Sequence, residues 1–280
     1  MPRFEPHPQR RPAVVSGASS GIGAATAVAL AAAGHPVALG ARRAAQCEAV
    51  AAQIRAGGGE AIALQLDVTD GDSVRDFAAT AERLLGPAEI LVSCAGDTKP
   101  AFVHEVAPEE FARQLDVNLA GAHRLVSAVV PGMASRRRGD VVFISSDVAR
   151  TPRPRMGGYV ASKTGLDGMA RVMQMELEGT GVRVGIVRPG PTATDMGSTW
   201  DQPAVEDMLT DWAGWGLARH WNFLRPPDVA AAVLTIVSAP RGAHLTLIEI
   251  QPQAPVAAAP GGNLAAGGPA AARSRPDVTP

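Results

Sequence analysis

Short apolar runs alternate with longer Ala-rich stretches along most of the chain. Ala13–Val15, Val37–Ala41, Ile62–Leu66, Ile90–Ser93, Val141–Ile144, Val182–Val187 and Leu245–Ile250 are rich in branched side chains. Runs this short, bounded by turn residues, are predicted strands. Between them lie six predicted helices: Ile22–Ala33, Ala44–Arg55, Ser73–Leu85, Glu109–Met133, Gly158–Glu178 and Pro227–Val237. Gly34 and Gly57-Gly58-Gly59 stop the first two. Asp72 or Ser73 suits the N-cap of the third, and Pro108 the first position of the fourth.

Strands that alternate with helices pair in parallel through right-handed crossovers. Val141-Val142-Phe143-Ile144 is apolar on both sides, as a strand covered on both faces requires. The expected fold is therefore α/β: a doubly wound, mostly parallel seven-stranded sheet with helices on both faces, the Rossmann type. Residues 12–252 form its single domain. Residues 1–11 are polar and Pro-containing and are expected to be a flexible arm. Residues 253–280 are Pro, Ala and Gly with almost no large apolar residue, the composition of a disordered tail.

Composition narrows the function classes. The chain has 280 residues, 46% of them hydrophobic, and a net charge of −1. That gives no electrostatic case for nucleic acid or an anionic membrane. No apolar stretch nears the length of a membrane span, and Met1–Pro12 lacks the apolar run of a signal peptide. Cys47 and Cys94 stand apart and beside no histidine, so no metal site or disulfide is expected and a reducing cytoplasm fits.

Between the first strand and first helix lies Ser16-Gly17-Ala18-Ser19-Ser20-Gly21-Ile22-Gly23. Glycines let a backbone turn sharply against a phosphate, and the helix start offers unpaired N–H groups and the positive dipole end. Gly17, Ser19, Ser20, Gly21, Ile22 and Gly23 are thus candidate cofactor residues. The same residues also read as G-x-S-x-G, which would make Ser19 a hydrolase nucleophile. That elbow would follow the very first strand and leave Gly21-x-Gly23 unexplained. Its histidine would have to be His220 or His244, neither with local support. The second strand ends Leu39-Gly40-Ala41-Arg42-Arg43, with no acid to bond a ribose 2′-hydroxyl. A guanidinium grips a 2′-phosphate in a charge-assisted fork, worth about 1.5–3 kcal/mol. Arg42 and Arg43 therefore favour NADP(H) over NAD(H), with one of the two read as a solvated charge.

Tyr159-Val160-Ala161-Ser162-Lys163 carries the chemistry. The chain holds one tyrosine and two lysines, Lys99 and Lys163. Positions i and i+4 share a helix face. An ammonium about 4 Å from a phenol contributes about 4 kcal/mol at an effective dielectric near 20, enough to bring its pKa toward the working pH. Ser146, closing the fifth strand, could polarise a substrate carbonyl at the strand's carboxyl end. Ser145 competes for that place, because adjacent strand residues face opposite ways.

Gly17-x-x-x-Gly21-x-Gly23, Asp67-Val68, Ala95-Gly96, Asn118, Ser146, Tyr159-x-x-x-Lys163 and Pro189-Gly190 occur in this order and spacing. The set resembles the short-chain dehydrogenase/reductase family over residues 12–250. The resemblance implies that Tyr159 is the acid/base, that Lys163 lowers its pKa and binds the nicotinamide ribose, and that Ser146 orients the carbonyl. It implies that Asn118, within Asp116-Val117-Asn118-Leu119-Ala120-Gly121, bends its helix and holds a proton-relay water. Asp67 and Val68 would flank the adenine, Ala95, Gly96, Pro189 and Gly190 would line the cofactor, and Thr192 and Thr194 would contact its nicotinamide or pyrophosphate side. Three departures stand out. Ser16 replaces the family's Thr, Cys94 replaces a sheet-bracing Asn, and Pro191-Thr192 replaces larger apolar residues without an N–H at Pro191.

Trp200, Trp212, Trp215 and Trp221 fall within residues 195–225, which the resemblance makes a lid over the substrate. Four indoles supply a large apolar area, either for a bulky hydrophobic substrate or for packing the lid. His104, His123 and His220 are read as structural or surface residues. The Gly165, Gly168, Met169 and Met173 helix face and the resemblance imply a homotetramer or homodimer. The expected function is a cytoplasmic NADPH-dependent carbonyl reductase for a small-molecule ketone or aldehyde, reversible as an alcohol dehydrogenase. A non-catalytic NADP(H)-binding sensor, an NAD-dependent alcohol dehydrogenase and the Ser19 hydrolase are its alternatives.

Overall fold

Successive residues of each strand turn to opposite sides of one sheet, and both sides are apolar. The computed structural model describes residues 5–198, 200–218 and 220–256. Strand β1 (Ala13–Ser16) sends Val14 to one face and Ala13 and Val15 to the other. Strand β5 (Gly139–Ile144) does the same with Val141 and Phe143 against Val142 and Ile144. Each fully buried Val, Ile or Phe contributes roughly 1.5–3 kcal/mol, so the two faces demand two helical layers.

Those layers form as expected. The remaining strands are β2 (Val37–Ala41), β3 (Ala61–Gln65), β4 (Ile90–Ser93), β6 (Val182–Pro189) and β7 (Leu247–Ile250). The sheet order is β3-β2-β1-β4-β5-β6-β7 and all pairs are parallel. One face is covered by α1 (Gly21–Ala32), α2 (Ala44–Ala56) and α8 (Pro226–Ser238). The other is covered by α3 (Gly71–Leu85), α5 (Gly121–Ser135) and α6 (Gly157–Glu176), with α4 (Pro108–Leu115) leading into α5. The direction of winding reverses between β1 and β4, which opens a crevice at their carboxyl ends.

Four local readings need correction. The predicted helix 109–133 is α4 and α5 joined by a π turn at Asp116–Ala120. Helix α3 is capped by Asp70, whose carboxylate accepts the N–H groups of Asp72 (2.9 Å) and Ser73 (3.4 Å), rather than by Asp72 or Ser73. The lid contains a helix that periodicity did not reveal, α7 (Gln202–Gly214), capped by Asp201. The arm expected to be loose is anchored at its end. Arg11 is 2% exposed, pairs with Asp140 and Glu89, and donates to the Val237 carbonyl at 2.9 Å. An arginine in a polar stretch reads as solvated; here two buried acids at the amino ends of the strands receive it. Of the segment 253–280, residues 257–280 lie outside the described residues.

Candidate active site

The glycine turn closes on itself and on its neighbour. Gly17 and Gly21 have φ of +68° and +56°, which glycine adopts without strain. A Cβ at Gly23 would lie 2.3 Å from the Gly17 carbonyl oxygen, and one at Gly17 would lie 2.8 Å from the Ala95 nitrogen. The Ser16 hydroxyl accepts the N–H groups of Cys94 (3.0 Å) and Ala95 (3.1 Å). Ser16 thus ties the end of β1 to the end of β4, beside the Cys94 that departs from the family pattern. Helix α1 starts at Gly21 with no side-chain cap, so the N–H groups of its first turn are free of side-chain acceptors and meet a phosphate's needs.

Arg43 completes this cradle. Its guanidinium donates to Ser19 Oγ from Nε (3.2 Å) and an Nη (2.9 Å), and to Ser20 Oγ (2.8 Å). Cationic N–H groups, hydroxyls and backbone N–H groups converge there with no carboxylate at the end of β2, a donor set that fits a phosphorylated ribose. Ser19 has an arginine, not a histidine, as its hydrogen-bond partner, so the elbow of a hydrolase is not built. Arg42 is exposed and close enough to Asp67 to help hold its carboxyl below the usual range, after the Thr69 hydroxyl and N–H. Asp67 accepts both of those groups, at 2.7 and 2.9 Å. Val68 is buried against Gly121, where a Cβ would come 2.8 Å from its Cγ2.

After the end of β6, Gly190 donates to the Ile250 carbonyl at 2.8 Å, and a Cβ there would meet Gln251 Oε1 at 2.2 Å. Thr192 donates to the Gly190 carbonyl at 2.9 Å. Thr194 reaches over the start of α1, 3.2 Å from the place a Gly21 Cβ would take. These contacts bring the Pro189–Thr194 segment across the glycine turn.

The four expected catalytic side chains gather where β4 and β5 end. Tyr159 and Lys163 sit one turn apart on α6, 8% and 4% exposed. Ser146, not Ser145, is the serine close enough to the phenol to lower its pKa, and Ser145 Oγ is buried without a side-chain or backbone partner. Asn118 lies inside the π turn, a distortion common at functional sites. Its amide grips Asp97 both ways, accepting its N–H (2.7 Å) and donating to its carbonyl (2.8 Å), and it donates to Ser162 Oγ at 3.0 Å. Gly96 passes close to both Asn118 and Lys163.

The electrostatics of these side chains are set first by burial. Burial pushes the Tyr159 phenol well above its ordinary value, opposed by the nearby Ser146 hydroxyl and reinforced by the Asp147 carboxylate. The Lys163 Nζ is 5.6 Å from the ring centre and donates to the Ile144 carbonyl at 2.8 Å. Burial also lowers the amine itself to about 8. Desolvation disfavours the charged form of each of these two buried groups.

The lid explains the burial. Met208 of α7 packs on Tyr159 and Val148, with Trp200, Leu209 and Trp212 around them. The Trp200 and Trp212 indoles donate to the Thr98 and Pro154 carbonyls, each at 3.0 Å. Two of the four indoles therefore pack the lid. Trp221 lines a cavity of about 310 Å³ with Asp147, Arg153, Trp212, His220 and Phe223, while Trp215 is exposed. His220, read as a structural or surface residue, lines this cavity.

Residues missed by sequence reasoning complete the surroundings. Asp147, next to Ser146, receives a fork from Arg153, and Gln251 donates to it as well. The signal was a lone acid after the strand-end serines and the run Arg150-x-x-Arg153-x-Arg155 before Tyr159. Among the described residues no cluster of potential metal ligands occurs and no helix is long and apolar enough to cross a membrane.

Comparison with known proteins bears on this geometry. A family profile described as short chain dehydrogenase matches residues 11–204. A glycine betaine reductase of Emericella nidulans is 38% identical over 86% of this chain, which spans 18% of that protein's length. A 2,3-dihydro-2,3-dihydroxybenzoate dehydrogenase of Bacillus subtilis is 34% identical, over 84% of this chain and 91% of its own. An alcohol dehydrogenase from Thermococcus sibiricus, solved in complex with 5-hydroxy-NADP, superposes with a TM-score of 0.75 at 29% identity. That superposition covers 89% of this chain and 100% of the other.

Proposed function

The chain belongs to the short-chain dehydrogenase family, and from that premise we propose that it is an NADPH-dependent reductase of a ketone or aldehyde, reversible as an alcohol dehydrogenase. The observation that carries this reading is the gathering of Ser146, Tyr159 and Lys163 at the carboxyl end of β5, with the Lys163 amine 5.6 Å from the phenol ring centre and bonded to the Ile144 carbonyl. The cofactor, when bound, supplies the hydride. The chain's own side chains do the rest.

Ser146 holds the substrate oxygen by donating its hydroxyl proton. Tyr159 gives that oxygen a proton as it becomes an alcohol. A phenol kept protonated by burial is suited to the donor's part when the carbonyl is reduced. Lys163 presents its ammonium to the cofactor ribose, and Asn118 fixes the loop after β4 and holds the proton-relay water. The apolar underside of α7 excludes bulk water. Arg43 takes the 2′-phosphate, with Arg42 beside it.

The cavity walled by Trp212, Trp221 and Phe223 supports a bulky hydrophobic carbonyl compound as the substrate. The reading also carries the expectation of a cytoplasmic homodimer or homotetramer, with exposed Val172 and Met175 of α6 available for the contact. A non-catalytic NADP(H) sensor would need none of the Tyr159, Lys163, Ser146 and Asn118 set, which argues against it.

The test is an NADPH-consumption screen across ketones, aldehydes, quinones and steroids, with Tyr159→Phe as control. Turnover of bulky apolar ketones is expected, with loss of turnover and near-intact NADPH binding in the variant. Full activity in Tyr159→Phe would refute the mechanism, and preference for short polar ketones would refute the substrate class.

A further inference from the structure

Asp147 is an awkward neighbour for a serine that must offer its proton to a substrate. Its side chain is 7% exposed, and Ser146 Oγ donates to its Oδ1 at 3.3 Å. An uncompensated buried carboxylate there would hold the Ser146 proton and face the Tyr159 phenol with a negative charge. Arg153 answers both problems. Its guanidinium donates to Asp147 Oδ1 at 2.8 Å and Oδ2 at 2.6 Å, and its side chain is 9% exposed. Gln251 adds a third donor at 3.3 Å. Charge-assisted bonds of that length are stronger than a neutral hydroxyl contact at 3.3 Å, so the fork takes the best lone pairs of the carboxylate.

We propose that Arg153 is a positioning residue for the reductase reading above: by saturating Asp147 it leaves the Ser146 hydroxyl free to turn its proton to the substrate oxygen. The lid holds Arg153 in that place. Its guanidinium lies 5.2 Å from the centre of the Trp212 ring, and the Trp212 indole is tied to the Pro154 carbonyl next in the chain. Docking of α7 and readiness of Ser146 are thereby linked through one side chain.

The charged and titratable groups around Tyr159 are few. Asp147 raises the phenol's pKa and Arg153 lowers it. Lys163 sits on the same helix, and the Cys94 thiol at the end of β4 is pushed up to about 11, so it stays neutral near pH 7. Met208, Trp200 and Trp212 bring no charge from the lid.

The experiment is a double-mutant cycle in the full chain with Asp147→Asn, Arg153→Gln and both together. Arg153→Gln is expected to lower kcat about tenfold or more with the KM for NADPH unchanged, the scale of losing one preorganised donor. The double variant is expected to recover to within about threefold of the starting protein, since no carboxylate is left to compete. A second readout needs no turnover. The chain has one tyrosine, so tyrosine labelled at Cζ gives one NMR resonance, titrated with NADP+ bound. Its midpoint should move up in Arg153→Gln, down in Asp147→Asn, and return toward the original in the double variant.

A double variant no better than Arg153→Gln, or a midpoint indifferent to Asp147, overturns the proposal. If Arg153→Gln does not fold, the comparison of the starting protein with Asp147→Asn decides. If the unmodified protein reduces no carbonyl while the resonance moves as stated, the reductase reading falls and the electrostatic role of the pair stands.

Discussion

The Lys163 ammonium donates to the Ile144 carbonyl at 2.8 Å, which pins the amine to the end of β5 instead of to the Tyr159 hydroxyl. The helix that presents the phenol and the strand that presents Ser146 are thereby locked together. The amine also passes close to Gly96, which the resemblance places along the cofactor.

Lys163→Met removes that tie and its charge. Turnover should fall by about 10² or more, the range of acid/base contributions, and NADPH should bind more weakly. Since the amine's value is lowered to about 8, activity that needs the charged form should decline as pH rises through about 8 in the unsubstituted protein. Steady-state kinetics across pH in both proteins check this.

Arg43→Ala strips the cradle of the guanidinium that joins Ser19 and Ser20. One charge-assisted bond is worth about 1.5–3 kcal/mol, so the KM for NADPH should rise about ten- to a hundredfold. The KM for NADH should hold within about twofold, because NADH carries no 2′-phosphate to lose a contact. Equal losses for both cofactors would remove the assignment to NADP(H).

Gly23→Ala places a methyl 2.3 Å from a backbone carbonyl that cannot swing aside as a flexible side chain would. The turn must open, at a cost of about 1–3 kcal/mol. Thermal melting with and without NADPH should show a lower midpoint and a smaller gain on adding cofactor.

Arg11→Met leaves Asp140 with Arg183 alone and removes a partner from Glu89, both buried. Breaking one side of a buried ionic network costs about 3–5 kcal/mol. Urea unfolding should show that loss with an unchanged slope. Stability unaffected by the change would mean that the arm does not dock in solution.

His7 and His35 have folded pKa values lowered from 6.5, chiefly by burial and then by the Arg11 charge. As pH falls through 6.5 the unfolded chain takes up protons first, so stability should decline from there toward the lower folded values. A His35→Asn variant should lose less stability between neutral and mildly acidic pH, as read by urea midpoints at each pH.

Local order carried much of the fold into the sequence. Branched runs and Ala-rich stretches announced the territory of seven of the eight α-helices among the described residues and every strand, because buried parallel strands have no polar face to disguise them. Helix α7 escaped because it is amphipathic over a lid rather than over the sheet core, and only Met208 on it is buried. The π turn at Asp116–Ala120 escaped because one inserted residue leaves helical periodicity almost intact.

The candidate site divides along the same line. Tyr159, Lys163, Ser146 and the glycine turn are spaced by single elements or fixed to strand ends, so the chain alone determined that they would share one crevice. Whether Ser146 or Ser145 faces the phenol, and whether Arg42 or Arg43 meets the turn, depended on side-chain direction at an element's end. The sign of the phenol's pKa and the Asp147–Arg153 fork were decided only in three dimensions. The phenol's shift comes from burial, and burial sums contributions from segments far apart in the chain, which no local pattern of residues encodes.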